Sequence, residues 1–253
     1  MLKLSNVSAG YNEKDIIKNV SFSVNGNESL SIIGPNGCGK TTLLRAILNI
    51  LPFTGEILVD NVPISKMKHK EKSRKIAMLS QITGAYFSYS VYDTVMMGRY
   101  THIEDKLFGL PSAKDKEVVQ NCLKAVGLTN EADKPITELS GGQLQRVFLA
   151  GTLAQEPQII LLDEPTNHLD LKFQIELIEY MKKWASDAGR TVVGVMHDIN
   201  LAMKLSDNIM VMKGGKVVAF GKSAEVITGE LLEEVFEIDV AKYMRESLEK
   251  WAV

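Results

Sequence analysis

The chain has 253 residues, enough for one large domain or a domain with a lobe, and it is 45% hydrophobic and 24% charged with a formal charge of -2 and a pI near 6.1. That balance excludes a disordered chain, a collagen-like repeat and a disulfide scaffold. It also lacks the basic excess with which proteins displace counterions from a polyanion, so no nucleic-acid partner is expected.

Taken in chain order, "MLKLSNVSAGY" has no charged segment followed by an apolar core and does not read as a signal peptide. "LKLSNVSAGY" and "IIKNVSFSVN" alternate apolar and polar residues and predict antiparallel strands with one wet face. "ESLSIIGPNG" predicts a short strand running into a glycine-rich turn, and "KTTLLRAILNI" continues at helical spacing. The run "KMKHKEKSRK", with His69, reads as a solvated basic face. Further strands are predicted at Gly55–Val59, Ile76–Leu79, Ile159–Asp163, Thr191–Met196, Ile209–Met212 and Lys216–Phe220. Helical patterns near Leu171–Ser186 and Ile199–Leu205 supply crossovers, which calls for a mostly parallel sheet. The middle section is helical with almost no strand signal. The expected organisation is therefore an α/β core over 1–88 and 155–221, an inserted helical lobe over 89–154 and a short helical tail over 222–253. No apolar run reaches the roughly 18 residues needed to span a bilayer, so a cytoplasmic chain is expected.

"GPNGCGKT" has the P-loop spacing between a strand and a helix. Gly34, Gly37 and Gly39, with Pro35, Asn36 and Cys38 between them, permit backbone angles that aim successive N–H groups of the loop, which Pro35 itself lacks, at one point where phosphates can sit. Lys40 is suited to the β and γ phosphates, Thr41 to magnesium, and Thr42 to further phosphate contact. Cys38 fills a position where a small side chain fits, and neither it nor Cys122 has metal-ligand spacing; both are expected as reduced thiols. "IILLDEP" places Asp163 and Glu164 at the end of a buried strand, where α/β proteins place ligands. Asp163 suits magnesium, a hard cation that wants oxygen, and Glu164 can polarise a water for attack on the γ phosphate. "LSGGQLQ" is a second glycine-rich helix start: Ser140 is an N-cap, while Gly141 and Gly142 leave early amides bare.

With these three motifs in this order, almost the whole sequence resembles the ATP-binding subunits of ABC (ATP-binding cassette) transporters. The resemblance implies a RecA-like P-loop NTPase core with an antiparallel β subdomain and an inserted α-helical lobe. It implies that ATP and magnesium bind, and that two copies stack head to tail so that Ser140, Gly141, Gly142 and Gln143 meet the ATP on the other copy's P-loop. Gln81 matches the glutamine that senses magnesium and water, and His197 in "GVMHDIN" matches the switch histidine that positions Glu164. Asp170 in "NHLD" matches the residue that communicates across the dimer, and Tyr11 matches the aromatic that stacks on adenine. His102 and His168 carry no independent mark of catalysis.

After Gln81 the crowded Tyr86, Phe87, Tyr89 and Tyr92 match the groove that receives a membrane permease. The pattern V-x-D-x-V-x-M-G-R-x-x-H, Val91 to His102, is similar to importers of iron-siderophore, haem and cobalamin type. That implies two permease subunits, an external binding protein and a place on the inner face of the membrane. The competing expectations are an importer for another substrate, a soluble ABC ATPase serving a process such as iron-sulfur cluster assembly, and a nucleotide sensor without turnover.

Overall fold

The computed structural model describes residues 1–12, 14–80, 88–103, 109–167, 169–187 and 189–251. They form two compact units, Met1–Ser65 with Gly194–Val253, and Lys66–Val193.

In the first unit, β1 (Leu2–Tyr11) pairs antiparallel with β2 (Lys14–Val24). The alternation in the sequence becomes one face with Leu2, Leu4, Ile17 and Val20 buried, while Lys3 and Lys18 stay wet. β3 (Ser29–Ile33) is buried along its length and feeds the glycine turn before α1 (Lys40–Ile47). β4 (Phe53–Val59) pairs with the other edge of β1 and turns into β5 (Val62–Pro63), giving the order β2-β1-β4-β5. That last turn is Asp60-Asn61 with φ of 51° and 63°, the two left-handed residues that a tight hairpin needs to match strand twist.

In the second unit, α2 (His69–Lys75) precedes β6 (Ile76–Leu79). The helical segment follows with α3 (Val91–Met96), α4 (Ala113–Ala125) and α5 (Gly141–Ala154). β7 (Ile159–Asp163) is buried at every residue and runs parallel to β6, with Ile76 opposite Ile159 and Leu79 opposite Leu162. α6 (Leu171–Ser186) leads to β8 (Thr191–Val195), within which the chain returns to the first unit. There α7 (Ile199–Leu205), β9 (Asn208–Lys213) and β10 (Lys216–Lys222) follow. β3 and β9 run parallel while β10 closes the edge antiparallel through the Gly214-Gly215 turn. Three helices follow: α8 (Ser223–Val226), α9 (Gly229–Phe236) and α10 (Val240–Glu249).

The helical segment is fastened by residues of the importer-like pattern. Arg99 is 2% exposed; it donates to Asp115 at 2.9 Å, to the carbonyl of Ala154 at 2.6 Å and to Glu156 at 2.7 Å. His102 meets the carbonyl of Gln155 at 2.9 Å. A side chain at Gly98 would stand 2.3 Å from the carbonyl oxygen of Gly151, so only glycine allows this close approach to α5. The end of α5 is therefore held by Gly98, Arg99 and His102 together. Burial alone would raise the Asp115 carboxyl, but the bonds from Ser112 and Arg99 outweigh it and hold the pKa at about 2. Among the described residues, no helix is long and apolar enough to cross a membrane.

Candidate functional site

The phosphate loop lies in the first unit. Gly34, Gly37 and Gly39 take φ of 151°, 77° and 102°, values that other residues rarely adopt. Their surroundings differ. A Cβ on Gly34 would stand 2.1 Å from the carbonyl oxygen of Met212, and one on Gly39 would stand 2.7 Å from Ile17, whereas one on Gly37 meets nothing within 4 Å. Gly34 and Gly39 thus let the loop press against β9 and β2 of its own unit, while Gly37 faces open space. The turn is braced further by the Gly215 amide, which donates to the carbonyl of Cys38 at 3.1 Å.

α1 starts at Lys40 with no side-chain cap and no acid in its first turn, which leaves its positive end for an anion. Lys40 is only 5% exposed, and its ammonium donates to the carbonyls of Gly34 at 2.8 Å and Pro35 at 3.0 Å. The ammonium also lies 4.0 Å from Cys38 Sγ, and a buried cation among these neutral groups is suited to an incoming phosphate. The Cys38 thiol is buried and pushed up by that burial, against the opposing charge of Lys40, in line with an unreactive thiol. Asn36 and Gly37 are exposed, Pro35 and Thr41 half-buried, and Thr42 buried.

Tyr11 ends β1 with its ring 42% exposed, and its hydroxyl accepts from Arg45 of α1 at 2.8 Å. His197 is exposed two residues beyond β8, just before Asp198, whose carboxylate caps α7 by accepting from Asn200 and Leu201.

The acids and the second glycine motif lie in the other unit. Asp163 is the buried last residue of β7. Glu164 follows at φ 53°, a left-handed conformation costing of order 1 kcal/mol or more for a residue with a side chain. Its carboxylate accepts from the Asn167 side chain at 2.8 Å. Ser140 and Gln143 form a reciprocal capping box: Ser140 Oγ accepts from the Gln143 amide at 3.3 Å, and Gln143 Oε1 accepts from the Ser140 amide at 3.1 Å. Ser140 and Gly141 are exposed, and a Cβ on Gly141 would meet nothing within 4 Å. Asp170 is exposed and caps α6 by accepting from Phe173 at 3.0 Å.

The structure thus groups Tyr11, the phosphate loop and His197 in one unit, and Asp163, Glu164, the glycine motif and Asp170 in the other. Gln81, Tyr86, Phe87 and His168 lie outside the described residues. Tyr89 is 47% exposed and Tyr92 half-buried. Sequence reading missed Asn167, Arg45 and Gln145, whose side-chain amide donates to the Pro165 carbonyl. Each is a common polar residue, and only its partner marks it.

The family model for ABC transporters matches residues 17–167, which include the phosphate loop, the glycine motif and the acids. The chain belongs to the ABC transporter family. Its ATP-binding proteins are ATPases, so this cassette binds ATP and is an ATPase of the P-loop class. It is 40% identical over 94% of its length to the petrobactin import ATP-binding protein FpuD of Bacillus anthracis, covering 87% of that protein. It is 36% identical over 93% of its length to the ferric enterobactin transport ATP-binding protein FepC of Escherichia coli, covering 86%. Against the longer, uncharacterized YvrA of Bacillus subtilis it is 38% identical over 98% of its own length and spans 56% of that relative. Among solved structures, the CbiO1 subunit of the Clostridium perfringens CbiONQ complex superposes with a TM-score of 0.79 at 30% identity, covering 97% of this chain and 98% of that one. The dimeric cassette MJ0796 gives 0.76 at 33% identity, covering 88% and 98%.

Proposed function

We propose that this cassette powers import of a metal chelate such as ferric siderophore, haem or cobalamin, working as a head-to-tail homodimer beneath two permease subunits. The observation that carries the dimer is the exposed start of α5. The P-loop already has a buried lysine and an uncapped helix for one phosphate tail, yet Ser140 and Gly141 present a second helix start, Ser-capped but exposed, to solvent. A phosphate from another copy gives that second start a purpose. The capping box uses Ser140 Oγ as an acceptor and leaves its hydroxyl able to donate, while the amides of Gly141 and Gly142, first in the helix, have no intrahelical partner. Import of a chelate is supported by the names of FpuD and FepC.

In this reading Gly34 to Gly39, Lys40 and Thr42 hold the phosphates of one ATP, with Tyr11 stacked on the adenine. Thr41, Gln81 and Asp163 offer a hydroxyl, an amide and a carboxylate oxygen, a hard donor set that fits magnesium. Held by these residues, magnesium would supply neutralisation of the charge that develops on the phosphates. Glu164 takes the proton of the attacking water, with Asn167 fixing its side chain and His197 positioning both at the γ phosphate. Ser140, Gly141, Gly142 and Gln143 close on that phosphate from the neighbouring copy, and Asp170 answers across the dimer. The core over 1–88 and 155–221 then carries the nucleotide, the lobe over 89–154 carries the signature, and 222–253 is a helical tail. The exposed Tyr89, with the half-buried Tyr92, supports a permease-facing surface there, and in this reading the cassette sits on the inner face of the membrane with an external protein delivering cargo.

The test is affinity purification of the tagged cassette from detergent-solubilised cells. Co-purification of an integral membrane permease, with ATPase activity stimulated by an external binding protein loaded with a ferric siderophore, is the expected result. Recovery with cytosolic proteins alone overturns the importer reading.

A further inference from the structure

We propose that Gln145 is a positioning residue that locks the signature helix α5 to the loop carrying Glu164, so that the two half-sites one chain lends to two different nucleotides move as one piece. The proposal rests on the shared-site reading above. Gln145 lies just inside α5, is 6% exposed, and donates its side-chain amide to the carbonyl of Pro165, the residue after Glu164. A buried amide-carbonyl pair cannot be exchanged for water without leaving an unsatisfied group, so this link resists sliding.

The same helix also meets α6. One residue beyond Gln145, the Arg146 guanidinium stacks 4.3 Å over the ring of Phe173 in the first turn of α6. α6 completes the clasp through Gln174, whose amide is 3.1 Å from the carbonyls of both Thr166 and Leu169. The carbonyls of Pro165, Thr166 and Leu169 are therefore held by side chains of α5 and α6.

Glu164 sits in the narrow left-handed well, where small changes in the Pro165 position redirect its side chain. When the start of α5 engages a neighbour's phosphate, the displacement passes through Gln145 to the acid that serves the chain's own nucleotide. Loading one site then prepares the other, which appears as cooperativity in ATP.

Gln145→Met keeps the length and volume of the side chain and removes the donor. The full-length protein is measured for ATP affinity, melting temperature, kcat and the Hill coefficient for ATP. The wild type is expected between about 1 and 2 for two sites. The variant is expected to bind ATP with unchanged affinity, to lose roughly 10- to 100-fold in kcat, and to fall to a Hill coefficient near 1. A loss of kcat at an unchanged Hill coefficient shows a structural role only and overturns the proposal, as does retention of both. Should Gln145→Met fail to fold, Phe173→Leu removes the Arg146 stack from a half-buried position, and an undiminished Hill coefficient there overturns the proposal. A wild type that hydrolyses ATP as a monomer with a coefficient of 1 overturns the shared-site reading itself, and is told apart because it needs no variant.

Discussion

The two glycines at 34 and 37 both need positive φ, yet the structure predicts different consequences for Gly34→Ala and Gly37→Ala. At Gly34 the new Cβ would stand 2.1 Å from the carbonyl oxygen of Met212, a backbone atom that cannot rotate away. Conformational strain of about 1–3 kcal/mol is then joined by a similar overpacking cost. At Gly37 nothing lies within 4 Å, so only the conformational cost applies. Each kcal/mol moves the melting temperature by about 2–4 °C in a chain of this size, which puts Gly34→Ala roughly 2–12 °C below Gly37→Ala. The Gly37 methyl projects instead where phosphates are expected to lie. Nucleotide at a hundredfold excess over its Kd stabilises a protein by about 2.7 kcal/mol, and Gly37→Ala should lose most of that rise. Thermal melts of both variants with and without ATP measure both effects. The reasoning fails if the two variants melt together without nucleotide, or if Gly37→Ala keeps the full ATP-induced shift.

Replacing Glu164 with Gln should leave ATP binding intact and arrest turnover with a closed dimer accumulating; rapid phosphate release by this variant would sink Glu164 as the principal base. Arg99→Met leaves the Asp115 carboxylate buried without its cation and should cost about 3–5 kcal/mol in denaturant unfolding, with much of the loss recovered when Asp115 is also changed to Leu. The folded pKa of Asp115 is depressed from 3.8 to about 2, so its contribution is present above pH 3.8 and disappears as pH falls through about 2. That contribution is worth about 2 kcal/mol, and acid-unfolding curves of Asp115→Asn should lack it. Asn167→Ala removes the amide that donates to the Glu164 carboxylate and should lower kcat roughly tenfold with ATP affinity unchanged in a binding titration.

What could be read from the residues depended on how local the governing physics is. The strand-turn-helix at Gly34 to Thr42 was legible because positive φ at fixed spacing demands glycine, and the tight turns at Asp60-Asn61 and Gly214-Gly215 carry the same kind of mark. The buried strands Ile159–Asp163 and Ile76–Leu79 were legible from apolar runs alone, to the residue. Ser140 was legible as a cap, but its reciprocal partner Gln143 was assigned only to the nucleotide. The helix α2 was read as a solvated basic face because all its residues stay at the surface, and a helix with no buried stripe leaves no periodic signal.

The sequence by itself determined the local elements: a glycine turn between strand and helix, two acids after a buried strand and a second, Ser-capped glycine helix start, since each is set by residues adjacent in the chain. Only the tertiary structure decided which side chains hold them in place. Asn167 on Glu164, Arg45 on Tyr11, Gln145 on Pro165, and Arg99 with His102 on the end of α5 are pairings whose partners come together by packing. Gln145 and Arg99 reach across 20 and 55 positions to their carbonyl partners. A hydrogen bond to a backbone carbonyl leaves no trace in the identity of the residue that accepts it, because every residue has one.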